Sequence, residues 1–389
     1  MKIAIIGASA AGIYTALLAK KSHPDWEVDL FDHNAKLGKK ILSTGNGHCN
    51  LLNEDVAPEV YSHPDFVRPL LRKHSYIKLK ETLISFGIPL QTIGSLVYPM
   101  TYSAASVVHC LALNLRALGV KVMLNEDFLG YRISKGKILV QTYGKETAYD
   151  KVVLATGGKS QKALGSDGSV LEMLKGKGYK ITPINPGLCP IRCKEDVKVL
   201  SGVRHKAMVT LLYGGRVLYS ENGEVLWKRD GLSGIAIFNC SSHIARQNPK
   251  NAYTVLVDLF PESSLDDLVE IAEKAYESLG ENFLDGLVEK ALAQYIYSNA
   301  EISKPHKSDI PLLCRMLKSL KFHYEGLYPF DQSQVSVGGV AIEELGPHLE
   351  SKQEKGVFFA GEMIDIDGLC GGYNLSWCLL SALTVAEGL

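Results

Sequence analysis

An excess of charge of either sign is missing from this chain: 42 Lys and Arg balance 42 Asp and Glu over 389 residues, a formal net charge of +0. A surface without a basic bias is poorly suited to a nucleic-acid backbone or an acidic bilayer, so the expected partner is a small molecule, with no nucleic acid and no membrane. Long apolar runs are missing too. No stretch reaches the ~20 residues that a spanning helix needs. The apolar start after Lys2 carries glycines at phosphate-loop spacing, so it reads as mature protein and not as a signal peptide, and a cytoplasmic location is expected. Cysteines are few and scattered, at 49, 110, 189, 193, 240, 314, 370 and 378, and the nearest pair has three residues between its members. That excludes a CxxC redox pair and a two-cluster zinc array; reduced thiols and no metal site are expected. Internal repeats and low-complexity tracts are also absent. What remains is an ordinary composition, 46% hydrophobic and 22% charged, in a chain long enough for two or three domains with cores of their own.

The stretch that organises the rest is Ile3-Ala4-Ile5-Ile6-Gly7-Ala8-Ser9-Ala10-Ala11-Gly12. A short β-type run, a glycine turn and helix formers from Tyr14 to Lys21 predict strand, tight turn and helix, the opening of a dinucleotide-binding unit. Gly7 supplies the turn and Gly12 lets the helix pack close, so that the N–H groups around Ala10 and Ala11 face a pyrophosphate. Ser9 stands where G-x-G-x-x-G has its second glycine, and its small hydroxyl fits there. The second strand, Glu27 to Asp32, ends in an acid on the order of 20 residues past the glycines, where a carboxylate accepts hydrogen bonds from ribose hydroxyls. Asp32 is expected in that role, with His33 beside it.

Beyond it, Leu37-Gly38-Lys39-Lys40 and Ser43-Thr44-Gly45-Asn46-Gly47-His48-Cys49-Asn50 form a loop of glycines, hydroxyls and two lysines. Such a backbone suits a flat, phosphate-bearing ligand, and equally a solvated surface loop. Val152-Val153-Leu154-Ala155-Thr156-Gly157-Gly158 reads as a buried strand closed by a glycine pair. Short alternating segments at 207–212, 216–219 and 225–228 suggest a small antiparallel sheet or barrel, and helical spacing follows at 264–279, 283–297 and 310–320. Near the end, Gly356 to Glu362 is a strand closed by Gly361-Glu362. Gly371-Gly372-Tyr373-Asn374-Leu375 opens a helix from about Leu375 to Ala386, for which Asn374 is the expected cap.

The loop at 38–50 resembles the G-[KR]-K-x-x-x-[ST]-G-x-G-R-C-N signature of the BaiN/YhiN-like family of bacterial FAD-dependent oxidoreductases, which includes bile-acid enone reductases and an aminoacetone oxidase. His48 and Ser95 stand where that family usually has arginines. Ala155-Thr156-Gly157 resembles its A-T-G motif, Gly231-Leu232-Ser233-Gly234 its G-L-S-G-P segment with Ile235 replacing proline, and Ser333 to Val340 its A-x-V-[ST]-x-G-G-V. The resemblance implies an α/β fold: a Rossmann-like FAD-binding domain (1–188 and 327–389), an inserted antiparallel β domain (189–261) that covers the substrate, and a small helical subdomain (262–326). It implies FAD as cofactor, held by the phosphate loop, Asp32, His33, Lys39, Lys40, Thr44, Gly45, Asn50, a residue near Phe128, Ala155 to Gly157, Gly361, Glu362 and Gly372 to Leu375. The helix after Gly372 would face the flavin pyrimidine, where its N–H groups stabilise charge arriving on the N1–C2=O edge.

No second G-x-G-x-x-G unit occurs in the middle third, so one flavin is expected to exchange electrons in both half-reactions. The expected chemistry is hydride transfer between a small amine, amino ketone or enone and flavin N5, with O2 or a soluble reductant such as NAD(P)H as the other partner. Tyr373 and His48 are the titratable groups expected near the ring; for His48 a plain hydrogen-bonded loop role is as good a reading. The alternatives are an NAD-only Rossmann dehydrogenase, a non-catalytic flavin sensor or scaffold, and an RNA-modifying flavoprotein, against which the neutral charge speaks.

Overall fold

The computed structural model describes residues 1–389. Five short strands from the two ends of the chain pair in parallel, in the order Val357–Phe359, Lys151–Leu154, Lys2–Ile6, Glu27–Asp32 and Lys121–Leu124. The first three of these are nearly continuous apolar runs because both faces of a parallel sheet are covered: Ile3, Ile5, Val152 to Leu154 and Val357 to Phe359 are all buried. The first helix, Ala10–Ser22, packs against the last, Tyr373–Ala386. Both are buried nearly all round, which is why neither shows a one-sided apolar stripe. A three-stranded antiparallel meander covers Phe128–Tyr149, and a second small sheet joins Leu52–Asn53, Leu96–Pro99 and Leu90–Ile93.

The chain divides into two units, 1–185 with 334–389, and 186–333. In the second unit six antiparallel strands close a barrel in the order Ile191–Cys193, Gly231–Ser233, Arg216–Lys228, Arg204–Tyr213, Tyr253–Asp258 and Leu320–Leu327. The segment 262–326, read from the sequence as a helical subdomain, lies in the same unit as the barrel. Leu268, Ala272, Leu292 and Leu313 from the helices share a core with Val255, Val257, Trp227 and Phe322 from the barrel. The reason is the strand Leu320–Leu327, which pairs with both Tyr253–Asp258 and Ile191–Cys193 and so closes the barrel after the helical excursion.

Three local expectations change as well. Residues 216–219 and 225–228 belong to one strand, Arg216–Lys228, and Ile235–Gln247 is a helix that the sequence did not announce. The cap of the last helix is Gly372, with φ +90°, and the helix starts at Tyr373. Asn374 lies in its first turn, and its side-chain amide accepts from the Gly368 N–H and donates to the Gly368 carbonyl, both at 2.9 Å. A glycine can take the left-handed conformation that this cap requires, which frees Asn374 to clamp the preceding loop.

Candidate functional site

The glycine turn is pinned between two strands: Gly7 N–H donates to the Phe31 carbonyl and Ala155 N–H to the Ile6 carbonyl, each at 2.8 Å. A Cβ on Gly12 would lie 1.9 Å from the Gly7 oxygen, so the helix reaches the turn only because that side chain is missing. Ser9 is the N-cap and its hydroxyl makes no capping bond, so the first-turn N–H groups stay open to an anion. Ala10 and Ala11 are buried behind them, and the Gly361 Cα lies against the Ala11 methyl, a Cβ there being 2.7 Å from it.

Asp32 is where the sequence puts it, but most of its capacity is spent inside the protein. Oδ2 accepts from Ala8 N–H at 2.8 Å, and Oδ1 accepts from the Asn34 N–H and Nδ2 at 2.8 and 2.9 Å. A carboxylate offers about four acceptor positions, so these three bonds leave room for one ribose hydroxyl, not two. Glu126 N–H on the Asp32 carbonyl and Asn125 N–H on the Asn34 carbonyl bring Phe128 to this end of the site. His33 is exposed beside Gly165. Lys39 reaches the Asn34 side chain at 3.1 Å and the Ala163 carbonyl at 2.6 Å, which closes the loop at 161–165 over the same corner.

Lys40 and Glu362, far apart in the chain, form a 2.8 Å ion pair with side chains 18% and 17% exposed. The Ser160 hydroxyl lies 2.9 Å from Lys40 Nζ and donates to Glu362 Oε1 at 3.1 Å, and Ser336 N–H donates to that oxygen at 2.9 Å. The Ser336 hydroxyl accepts from the Lys159 and Ser160 N–H groups. One carboxylate thus ties together the lysine loop, the turn after Ala155-Thr156-Gly157, the strand Val335–Val337 and the Gly361-Glu362 turn. Ser336 fills the [ST] position of the segment from Ser333 to Val340 but was given no role there, and Ser160 lies in no quoted motif.

The loop from Thr44 to Asn50 is held by its own turns: Thr44 Oγ1 donates to the Ile41 carbonyl at 2.6 Å, and Cys49 and His48 N–H donate to the Thr44 and Gly45 carbonyls. It then runs to the start of the last helix, where Asn53 Nδ2 donates to the Gly371 carbonyl at 2.8 Å and Tyr61 OH to the Tyr373 carbonyl at 3.1 Å. Trp377 Nε1–H on the Gly361 carbonyl at 3.0 Å and Gly361 N–H on Ser381 Oγ at 2.9 Å lock that helix to the acid turn. Tyr373 is buried. The His48 ring stacks on Tyr102 at 4.0 Å, and its Nδ1 lies 3.1 Å from the Tyr102 carbonyl. Nearby thiols are kept neutral, since burial pushes Cys49 up to about 11 and Cys378 up to about 12, the latter with help from the Glu362 charge.

A parallel sheet with a glycine turn, an acid at the end of its second strand and a buried helix N-terminus brought in from the far end of the chain is a dinucleotide cradle. The family model described as HI0933-like protein Rossmann domain matches residues 1–388. The chain belongs to the HI0933-like Rossmann family. Two curated relatives align over nearly their full lengths. The 3-dehydro-bile acid delta(4,6)-reductase of Clostridium scindens (strain ATCC 35704 / DSM 5676 / VPI 13733 / 19) is 33% identical over 391 residues, 97% of this chain and 96% of the relative. The ribosomal RNA dihydrouridine synthase of Escherichia coli (strain K12) is 27% identical over 400 residues, 99% of this chain and 97% of the relative. Among solved structures, the 3-ketosteroid delta1-dehydrogenase from Sterolibacterium denitrificans in complex with 1,4-androstadiene-3,17-dione has a TM-score of 0.49 at 9% identity, over 99% of this chain and 98% of that one. A likeness that loose adds nothing to the chemistry. No helix of this HI0933-like chain is long and apolar enough to cross a membrane.

The residues fit FAD. The first helix offers uncapped N–H groups behind a turn that Gly7 and Gly12 keep narrow, Asp32 keeps one acceptor position for a ribose, and the last helix starts at a glycine with no side-chain capping bond, which leaves its first-turn N–H groups open as well.

Proposed function

We propose that this chain is an FAD-dependent oxidoreductase that transfers a hydride between a small organic substrate and flavin N5. The enone class is favoured over amines and amino ketones by the 33% identical relative that is named as a bile-acid reductase. The observation that carries the reading is the convergence of Lys40, Ser160, Ser336 and Glu362 between the phosphate turn and the last helix, since it makes one cradle from both ends of the chain. When bound, FAD supplies the hydride-accepting and hydride-donating atom.

The protein's part is to hold and polarise. The first-turn N–H groups of Ala10–Ser22 receive the diphosphate, and Asp32 receives one ribose hydroxyl. The positive end of Tyr373–Ala386 stabilises negative charge on the pyrimidine edge as the ring is reduced. Lys40 is neutralised by Glu362, so it contributes position more than net charge. The other redox partner is O2 or a soluble reductant such as NAD(P)H.

The test is direct. Purified protein should be yellow, with the flavin band near ~450 nm, and anaerobic mixing with enones, amino ketones, amines and NAD(P)H should bleach or restore that band with at least one of them. A colourless protein that does not retain added FAD would end the proposal. A second reading, reduction of uridine in ribosomal RNA, is favoured by the 27% identical relatives of that name. The balanced charge of this chain argues for the small molecule. Dihydrouridine formed in ribosomal RNA by the reduced enzyme would decide for the second.

A further inference from the structure

We propose that Tyr98 and Tyr102 form an oxyanion site, in which their hydroxyls hold the carbonyl oxygen of an enone substrate while hydride reaches its β-carbon. This rests on the FAD and enone reading above and names the residues that receive the substrate.

Tyr98 lies on Leu96–Pro99, the middle strand of the small three-stranded sheet. Side chains alternate along a strand: Val97 and Pro99 are buried, and Leu96 and Tyr98 are partly exposed on the other face. That face is turned to the segment before the last helix. A Cβ on Gly371 would lie 3.7 Å from Leu96 Cδ2, and the Cys370 thiol is near enough to Tyr98 to disfavour its phenolate. Leu96 and Tyr98 thus stand close to Gly372, the cap of the helix whose positive end is assigned to the flavin pyrimidine.

Tyr102 belongs to the turn that follows this strand. Its N–H donates to the Pro99 carbonyl at 2.8 Å, its ring meets Tyr98 edge-on at 4.9 Å, and the His48 ring lies flat against it. Its φ is +51°, in the left-handed region that a bulky residue rarely occupies, and its side chain is 39% exposed. Backbone strain of this kind persists where position matters, and here it brings a second phenol beside the first. Tyr61, Tyr76, Tyr131 and Tyr149 each give their hydroxyl proton to a carbonyl or carboxylate, whereas Tyr98 and Tyr102 bond only to each other. One bond between two hydroxyls uses one proton and leaves the second for an acceptor from outside. Burial, Tyr102 and Cys370 push the Tyr98 phenol up from its ordinary value, so it is a protonated donor at neutral pH.

An enone needs donors at its oxygen. Hydride from N5 forms the new C–H bond at the β-carbon, the π pair of the C=C bond shifts to give the enolate, and a solvent proton then goes to the α-carbon. The two electrons come from the soluble reductant. Both tyrosines keep their protons, and their hydrogen bonds strengthen as the substrate oxygen becomes anionic.

The test titrates oxidised holoenzyme with 4-chlorophenol, whose phenolate copies an enolate oxygen on a flat ring, and with 4-chloroanisole, in which that oxygen is methylated. Binding is read from the flavin spectrum, and a phenolate lying against the ring adds a charge-transfer band at long wavelength. Wild type should show that band at neutral pH and prefer the phenol by about tenfold or more. The double variant Tyr98→Phe with Tyr102→Phe keeps both rings, so it should retain FAD with the wild-type dissociation constant, lose the band and bind the two probes alike. The inference is overturned if wild type shows no preference, if the double variant keeps it, or if the double variant loses FAD affinity by the same factor, since the tyrosines would then be holding the cofactor. Failure of wild type to bind FAD at all would instead remove the FAD reading, and this inference with it.

Discussion

Glu362 shows how much a single side chain can organise. Its carboxylate meets Lys40 at 2.8 Å, the Ser160 hydroxyl at 3.1 Å and the Ser336 N–H at 2.9 Å, in surroundings that exclude most water. Glu362→Gln keeps an oxygen for the two neutral donors but leaves the Lys40 ammonium half-buried without its anion. The expected loss is about 2 kcal/mol of folding stability, read as a lower urea midpoint with an unchanged slope. Glu354 offers a pH-dependent counterpart. Burial pulls its carboxyl upward, but hydrogen bonds from Tyr131, Lys177 and Tyr179 outweigh that and hold it below the usual 4.5. A carboxyl depressed by folding contributes stability that is complete above its unfolded value and disappears as pH falls through its folded one. The stability gap between wild type and Glu354→Gln should therefore stay flat from neutral pH down to about 5 and shrink below 4.5. Thermal melts across that range would check it, and a gap that widens on acidification would contradict it.

At the scale of elements, the last helix owes its position to groups outside it. Trp377 and Ser381 bind it to Gly361, Tyr61 holds the Tyr373 carbonyl, and Asn374 ties its first turn back to Gly368. Asn374→Ala would leave the Gly368 N–H and carbonyl without those partners and free the loop before the helix. A stability loss of about 1–2 kcal/mol and about tenfold weaker FAD binding are expected, from melts and flavin fluorescence titration. The sequence put this helix in the right place but named the wrong cap. N-cap preference favours asparagine over glycine in general, and the left-handed φ of +90° at position 372, together with the close approach of Asn50 and Leu52, makes glycine necessary there. The strand Leu320–Leu327 is a similar case. Its alternating burial is legible in Leu-Lys-Phe-His-Tyr-Glu, but it follows the helix Ile310–Leu317 after only two residues, so helical spacing read up to Leu320 hid its start.

For the whole molecule, the barrel unit has a core that the cofactor residues do not share: Trp227, Val255, Phe322, Leu292 and Leu313 pack among themselves. A fragment of residues 186–333 expressed alone should fold, melt cooperatively and fail to bind FAD. Retention of flavin by that fragment would move the cofactor site away from the two ends of the chain. The sequence by itself determined the phosphate turn, the acid at the end of the second strand and the glycine pair before the last helix, because each depends on backbone torsions or spacing within a few residues. Only the tertiary structure decided that Lys40 meets Glu362, that Asp32 gives one oxygen to the Ala8 N–H, and that Asn50 keeps an oxygen unpartnered. Those are choices among partners distant in the chain, made by packing geometry, and no local pattern records which partner a charge or an amide will find.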